Sequence, residues 1–137
     1  MKVTVDTNVL ISATFWSGNS EKIIIHAQEK KIELILSKPI LDEYVKVLQY
    51  EEIKDKIKDK NLELRFAIEQ IISIATIVEP TESLQIVKED PDDNKILECA
   101  KAGNVDCIIS QDKHLLKLKK LENISILTPE DFLKKLL

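Results

Sequence analysis

Short β-branched runs alternate along this chain with longer stretches of helical periodicity, and that alternation constrains the fold more than any other feature. It is the pattern of an α/β layer fold with a largely parallel sheet, because parallel neighbours need a crossover connection and a helix is the usual one. Strands are expected at residues 2–5, 32–36, 76–79, 106–109 and 124–127, with helices filling the gaps. At 137 residues the chain has the size of one ordinary domain. The expectation is a single three-layer α/β domain over residues 1–137, with a central, mostly parallel sheet of about five strands flanked by helices. Three Phe, two Tyr and one Trp leave the core to be built from Ile, Leu and Val.

Local punctuation places the helix ends. Ser37 stands before Lys38-Pro39, Asp90 directly before Pro91, and Thr128-Pro129-Glu130-Asp131 offers a cap, a first-turn proline and early acids. A helix over 91–102 should stop at Ala102-Gly103-Asn104, where Gly103 is expected to take the left-handed conformation. The stretch 51–73 reads as two helices meeting near Asp59-Lys60-Asn61. No repeat or flexible linker divides the chain.

The formal charge of −4 argues against a protein that holds nucleic acid by a basic surface alone. Withdrawing four acids into one site would balance the remainder. Cys99 and Cys107 sit among apolar neighbours and read as reduced core residues. The opening residues carry no signal-peptide pattern, and the longest apolar-rich run, 71–78, is too short to span a bilayer. A cytoplasmic protein without membrane association is the expectation.

In an open parallel sheet, side chains just past the carboxyl ends of the strands converge on one edge. Asp6 ends the first expected strand, and Ser110 and Asp112 follow the fourth. Asp42 and Glu43 lie one turn into the helix after the second, and Asp90, Asp92 and Asp93 open a helix approaching the same edge. Carboxylates so crowded repel one another unless some take up protons or a divalent cation intervenes. Oxygen ligands suit Mg²⁺ or Mn²⁺ and not zinc, and His26 and His114 stand alone without zinc-type spacing. Phosphodiester hydrolysis is the reaction class that follows.

The same segments resemble a known family. Val3-Thr4-Val5-Asp6-Thr7-Asn8-Val9-Leu10 is similar to the opening motif of PIN domains, and Ser37-Lys38-Pro39-Ile40-Leu41-Asp42-Glu43-Tyr44 to the segment with their second acid. Asp90-Pro91-Asp92-Asp93-Asn94-Lys95-Ile96-Leu97 resembles the third motif, and Ile108-Ile109-Ser110-Gln111-Asp112-Lys113-His114-Leu115-Leu116 the fourth. Leu127-Thr128-Pro129-Glu130-Asp131-Phe132-Leu133 resembles the closing segment of VapC-like toxins of toxin–antitoxin systems. The resemblance implies a Mg²⁺- or Mn²⁺-dependent endoribonuclease acting on RNA, with an antitoxin as partner and a homodimer as assembly.

Carried over residue by residue, it makes Asp6, Glu43, Asp93 and Asp112 catalytic. Asp6, Asp93 and Asp112 become metal ligands, and Glu43 the group that positions or deprotonates water. Asn8 and Ser110 read as supports that orient a carboxylate or a water. Asp90 reads as a helix cap, with support of the site as the alternative, and Thr7 as a backbone-shaping residue only. Relatives often carry a further acid where this chain has His114. Asp92 and Asp93 point about 100° apart on an α-helix, and the inward face set by Ile96 and Leu97 favours Asp93, although a one-residue shift would exchange them.

Other features read as structural. The Lys54, Lys56, Lys58, Lys60 face reads as a solvated helix surface, with an RNA track as the alternative, and Ile68, Ile71, Ile72 and Ala75 as a core or self-association stripe. Phe15 and Trp16 stack on a base, contact a partner or fold back on the core. Two rival classes are a catalytically silent PIN-like module that binds RNA or protein, and a receiver-type phospho-acceptor domain. The latter lacks its paired acids after the first strand.

Overall fold

The computed structural model describes residues 1–59 and 63–136. Its strands are β1 (Lys2–Val5), β2 (Glu33–Ser37), β3 (Ala75–Val78), β4 (Cys107–Ile109), β5 (Lys120–Leu121) and β6 (Ile124–Leu127). The helices are α1 (Thr7–Phe15), α2 (Asn19–Gln28), α3 (Lys38–Leu48), α4 (Glu51–Asp59), α5 (Leu64–Ile74), α6 (Asn94–Ala102), α7 (Lys113–Leu116) and α8 (Pro129–Leu136). The expected junction near Asp59-Lys60-Asn61 lies for the most part outside the described residues.

The sheet runs in the order β3-β2-β1-β4-β6-β5, parallel throughout except for the β5–β6 pair. Every residue of β4, and Val3, Thr4 and Val5 of β1, is buried, so both faces of the central strands are covered. That accounts for their near-continuous apolar runs, since a strand with helices on both sides has no solvent face to alternate with. Helix α6 lies against β1, β2 and β4, α3 against β2, and α8 against β6. Among the described residues no helix is long and apolar enough to cross a membrane.

Five of the six strands coincide with the expected ones to within a residue at each end. The sixth, β5, is a two-residue antiparallel edge closed by a turn in which Glu122 takes φ 54°. Two residues are too few to carry a periodic signal. The expected helix over 91–102 instead begins with a 3₁₀ turn, Pro91–Asp93, before α6. Its end differs too: Gly103 has φ −89° and the left-handed residue is Asn104, φ 49°. Gly103 is small for a different reason, because a Cβ there would meet Ile35 Cγ2 at 2.5 Å. The glycine lets the end of α6 approach β2.

Cys99 and Cys107 are free and buried, and burial pushes the Cys107 thiol up to about 11. Of the expected apolar stripe, Ile71 is buried, Ile68 half-buried and Ile72 exposed on α5, and half-buried Ala75 opens β3. Phe15 folds into the core. Trp16 stays exposed with Lys56 Nζ 3.9 Å from the centre of its ring, so one face of the indole is already occupied.

Candidate active site

The chain leaves β1 for β2 and β3 on one side and returns to β4 on the other, so the topological switch lies between β1 and β4. Ligand crevices of open α/β sheets form there, beyond the carboxyl ends of the strands. The register pairs Val5 with Ile109, which makes Asp6 and Ser110 the first residues past the two strand ends. The Ser110 hydroxyl donates to Asp6 Oδ2 and accepts from the Asp112 backbone N–H at 2.9 Å. One buried serine thereby fixes two of the acids.

Asp6 also caps α1, its Oδ1 accepting from Val9 N–H at 2.9 Å. Asp112 caps α7 in the same way, its Oδ1 accepting from the N–H groups of His114 (2.7 Å) and Leu115 (3.3 Å). Asp90 caps the 3₁₀ turn by accepting from Asp92 N–H at 3.2 Å. Capping and pocket-lining are compatible here, because a cap side chain sits where the strand has ended and the helix has not begun. Glu43, on α3, is held from across the pocket by the Thr7 hydroxyl, which donates to Oε2 at 3.1 Å. Thr7 therefore does more than shape the backbone.

Asp6, Glu43, Asp90, Asp93 and Asp112 line one pocket of about 100 Å³, together with Asn8, Asp92 and Lys95. Asp93 points inward with its side chain only 14% exposed. Asp92 is 66% exposed and pairs with Lys95 at 3.2 Å. Burial pushes the Asp93 carboxyl up to about 7, reinforced by the negative charges of Asp112 and Asp90. Burial raises Asp6 as well, although the bonds from Ser110 and Val9 oppose it.

One contributor, Asn94, lay outside the sequence expectation, and another, His114, was marked there only as standing where relatives often carry an acid. The Asn94 amide is buried, accepts from Ile86 N–H (3.0 Å) and Val87 N–H (2.9 Å), and donates to Val87 C=O (2.9 Å). It fastens the segment leading into Asp90 onto the start of α6. His114 comes from the first turn of α7, and its Nδ1 lies 3.7 Å from Asp112 Oδ1 and 3.9 Å from Asp93 Oδ2. The resemblance had singled out position 114, but spacing along the chain gave no sign of the approach of Asp93, which reaches it from a different element.

A test of fit for a cation comes from hydrogen bonding. Asp93 Oδ2 and His114 Nδ1 are buried with no hydrogen-bond partner among the described residues. Unpaired buried polar atoms are costly and call for an explanation. A divalent ion among them would supply the missing partner, and Asp93, Asp112 and His114 offer ligand atoms within 4.8 Å of one another. Carboxylate oxygens at a site lined by further acids suit a hard cation.

A profile of the PIN domain matches residues 2–114. The chain belongs to the PIN domain family. All four acids of the expected set fall within the matched span of this PIN domain. Among solved structures, it is similar to a chain in the crystal structure of VapBC2 from Rickettsia felis bound to a DNA fragment from their promoter. The likeness has a TM-score of 0.61 at 14% identity and covers 92% of this chain and 97% of that one. No curated protein matches the chain.

Proposed function

We propose that this PIN domain is a Mg²⁺- or Mn²⁺-dependent endoribonuclease, the toxin of a toxin–antitoxin pair, acting in the cytoplasm. The observation that carries the reading is the convergence of Asp6, Glu43, Asp93 and Asp112 on one pocket at the switch point of the sheet. Asp6, Asp93 and Asp112 hold the cation, with Ser110 fixing two of them and Asn8 and Asp90 at the margin. When bound, the cation supplies charge to stabilise the phosphodiester oxygens and to acidify an attacking water. Glu43, steadied by Thr7, takes the proton from that water.

Substrate passage is supported by a second depression that shares Glu43, Asp92 and Lys95 with the pocket and runs along α3 past Lys46 to the exposed ring of Tyr50. An RNA strand lying there meets an amine for a phosphate and a ring for a base. The VapBC2 likeness supports an antitoxin as partner. Exposed Phe66 and Ile72 on α5 offer apolar surface for a homodimer.

The deciding experiment is cleavage of mixed RNAs with Mn²⁺ and with EDTA, on wild type and Asp6→Asn. Expected are products from wild type with Mn²⁺ only, and a loss of at least about 100-fold in Asp6→Asn, more than the loss of a group that merely orients a ligand. An uncut RNA in every lane would replace the nuclease with a silent binding module.

A further inference from the structure

We infer that His114 is a nitrogen ligand of the cation and that it makes Mn²⁺, rather than Mg²⁺, the preferred ion of this PIN domain. The inference rests on the metal-site reading above and sharpens it, since the acids alone do not separate the two ions. Three observations carry it. His114 Nδ1 has no hydrogen-bond partner among the described residues although the atom is buried. It is aimed at the two acids that face it from separate elements, Asp93 at 3.9 Å and Asp112 at 3.7 Å. Two donors each about 2.1 Å from one ion stand at most about 4.2 Å apart, so both separations admit a shared cation without moving the backbone.

The imidazole is held in place by its own main chain. His114 N–H donates to the Asp112 carboxylate at 2.7 Å, which fixes the first turn of α7 that carries the ring.

Selectivity follows from donor chemistry. Mg²⁺ demands oxygen in near-ideal octahedral geometry and gives up water reluctantly. Mn²⁺ belongs, at its weak end, to the first-row divalent series that mixed nitrogen and oxygen sites bind, whereas Mg²⁺ lies outside it. An imidazole at this position presents a neutral nitrogen where a carboxylate would present a charged oxygen. The exchange weakens the site for Mg²⁺ more than for Mn²⁺.

The test uses metal-free full-length protein titrated with MnCl₂ and with MgCl₂, read by calorimetry. Mn²⁺-loaded protein is examined in parallel for ¹⁴N coupling in pulsed electron paramagnetic resonance. Wild type is expected to bind Mn²⁺ at least about tenfold tighter than Mg²⁺ and to show the nitrogen coupling. His114→Gln should lose the coupling and narrow the preference to within about threefold, and His114→Asp should narrow it mainly by gaining Mg²⁺ affinity. Gln keeps the backbone cap and adds no charge, so it remains informative even if the Asp variant unfolds. Mn²⁺ bound without nitrogen coupling, or a preference unchanged in His114→Gln, overturns the assignment and leaves the carboxylate site standing. Failure of wild type to bind either ion overturns the metal-site reading itself.

Discussion

The two halves of the pocket differ in who satisfies them. On the β1–β4 side, Asp6 and Asp112 are paired by the protein: Val9, Ser110, His114 and Leu115 donate to them, and both double as helix caps. On the α6–α7 side, Asp93 Oδ2 and His114 Nδ1 are buried, 3.9 Å from each other, and without a hydrogen bond among the described residues. The first half is set by the same bonds that end strands and start helices, so it is built whenever the chain folds. The second stores electrostatic cost that a proton or a cation relieves, which is the usual signature of a site prepared for something not covalently its own.

The sharpest way to break this contrast is to supply the cation. Saturating Mn²⁺ at a hundredfold excess over its Kd should stabilise the fold by about 2.7 kcal/mol, a rise of about 10 °C in Tm for a chain of this size by calorimetry. Asp93→Asn should remove most of that rise while increasing the Tm of the metal-free protein, because it deletes the buried charge. A variant that melts lower than wild type without metal would show that Asp93 is not under strain.

A second effect is the pH dependence of the metal-free protein. The folded state holds the Asp93 proton up to about pH 7, whereas the unfolded chain loses it near its ordinary value of 3.8. Folding therefore favours the protonated form. The contribution is fully present below the unfolded value and is lost as pH rises towards about 7. Asp6, raised by burial, acts in the same sense. Denaturant midpoints in EDTA should fall over that window in wild type and fall less in Asp93→Asn. Mn²⁺ affinity should rise over the same window, since the ligand must be deprotonated.

The smallest expected effect tests the satisfied half. Ser110→Ala removes the donor to Asp6 and the acceptor for Asp112 N–H, at about 1–3 kcal/mol for the buried group left unpaired. Metal affinity should drop about tenfold through the misplaced Asp6, within the range seen when a ligand's support is lost. A loss of stability without any loss of Mn²⁺ affinity would make Ser110 a fold residue alone.

The α/β architecture and five of its strands were legible in the sequence because short β-branched apolar runs mark strands, most continuously where both faces are buried as in β1 and β4, and helix crossovers write themselves as a longer period. Asp6, Asp90 and Asp112 were legible for a local reason: a residue that ends a strand or caps a turn is placed by its immediate neighbours. The pair Asp92 and Asp93 was not settled by the sequence, since the turn that carries them is 3₁₀ and not the α-helix from which their directions were reckoned. Tertiary packing alone turned Asp93 in and left Asp92 with Lys95. Gly103 is small because α6 meets Ile35, a contact between residues far apart in the chain. Thr7 on Glu43, Asn94 under the Asp90 segment, and His114 against Asp93 are likewise meetings across elements. By itself, then, the sequence determined the elements and the acids at their ends, which depend on periodicity and capping within a few residues. Only the folded chain decided which side chains share the pocket and which are left unpaired there, because those relations exist between segments that have no neighbourhood until the sheet is assembled.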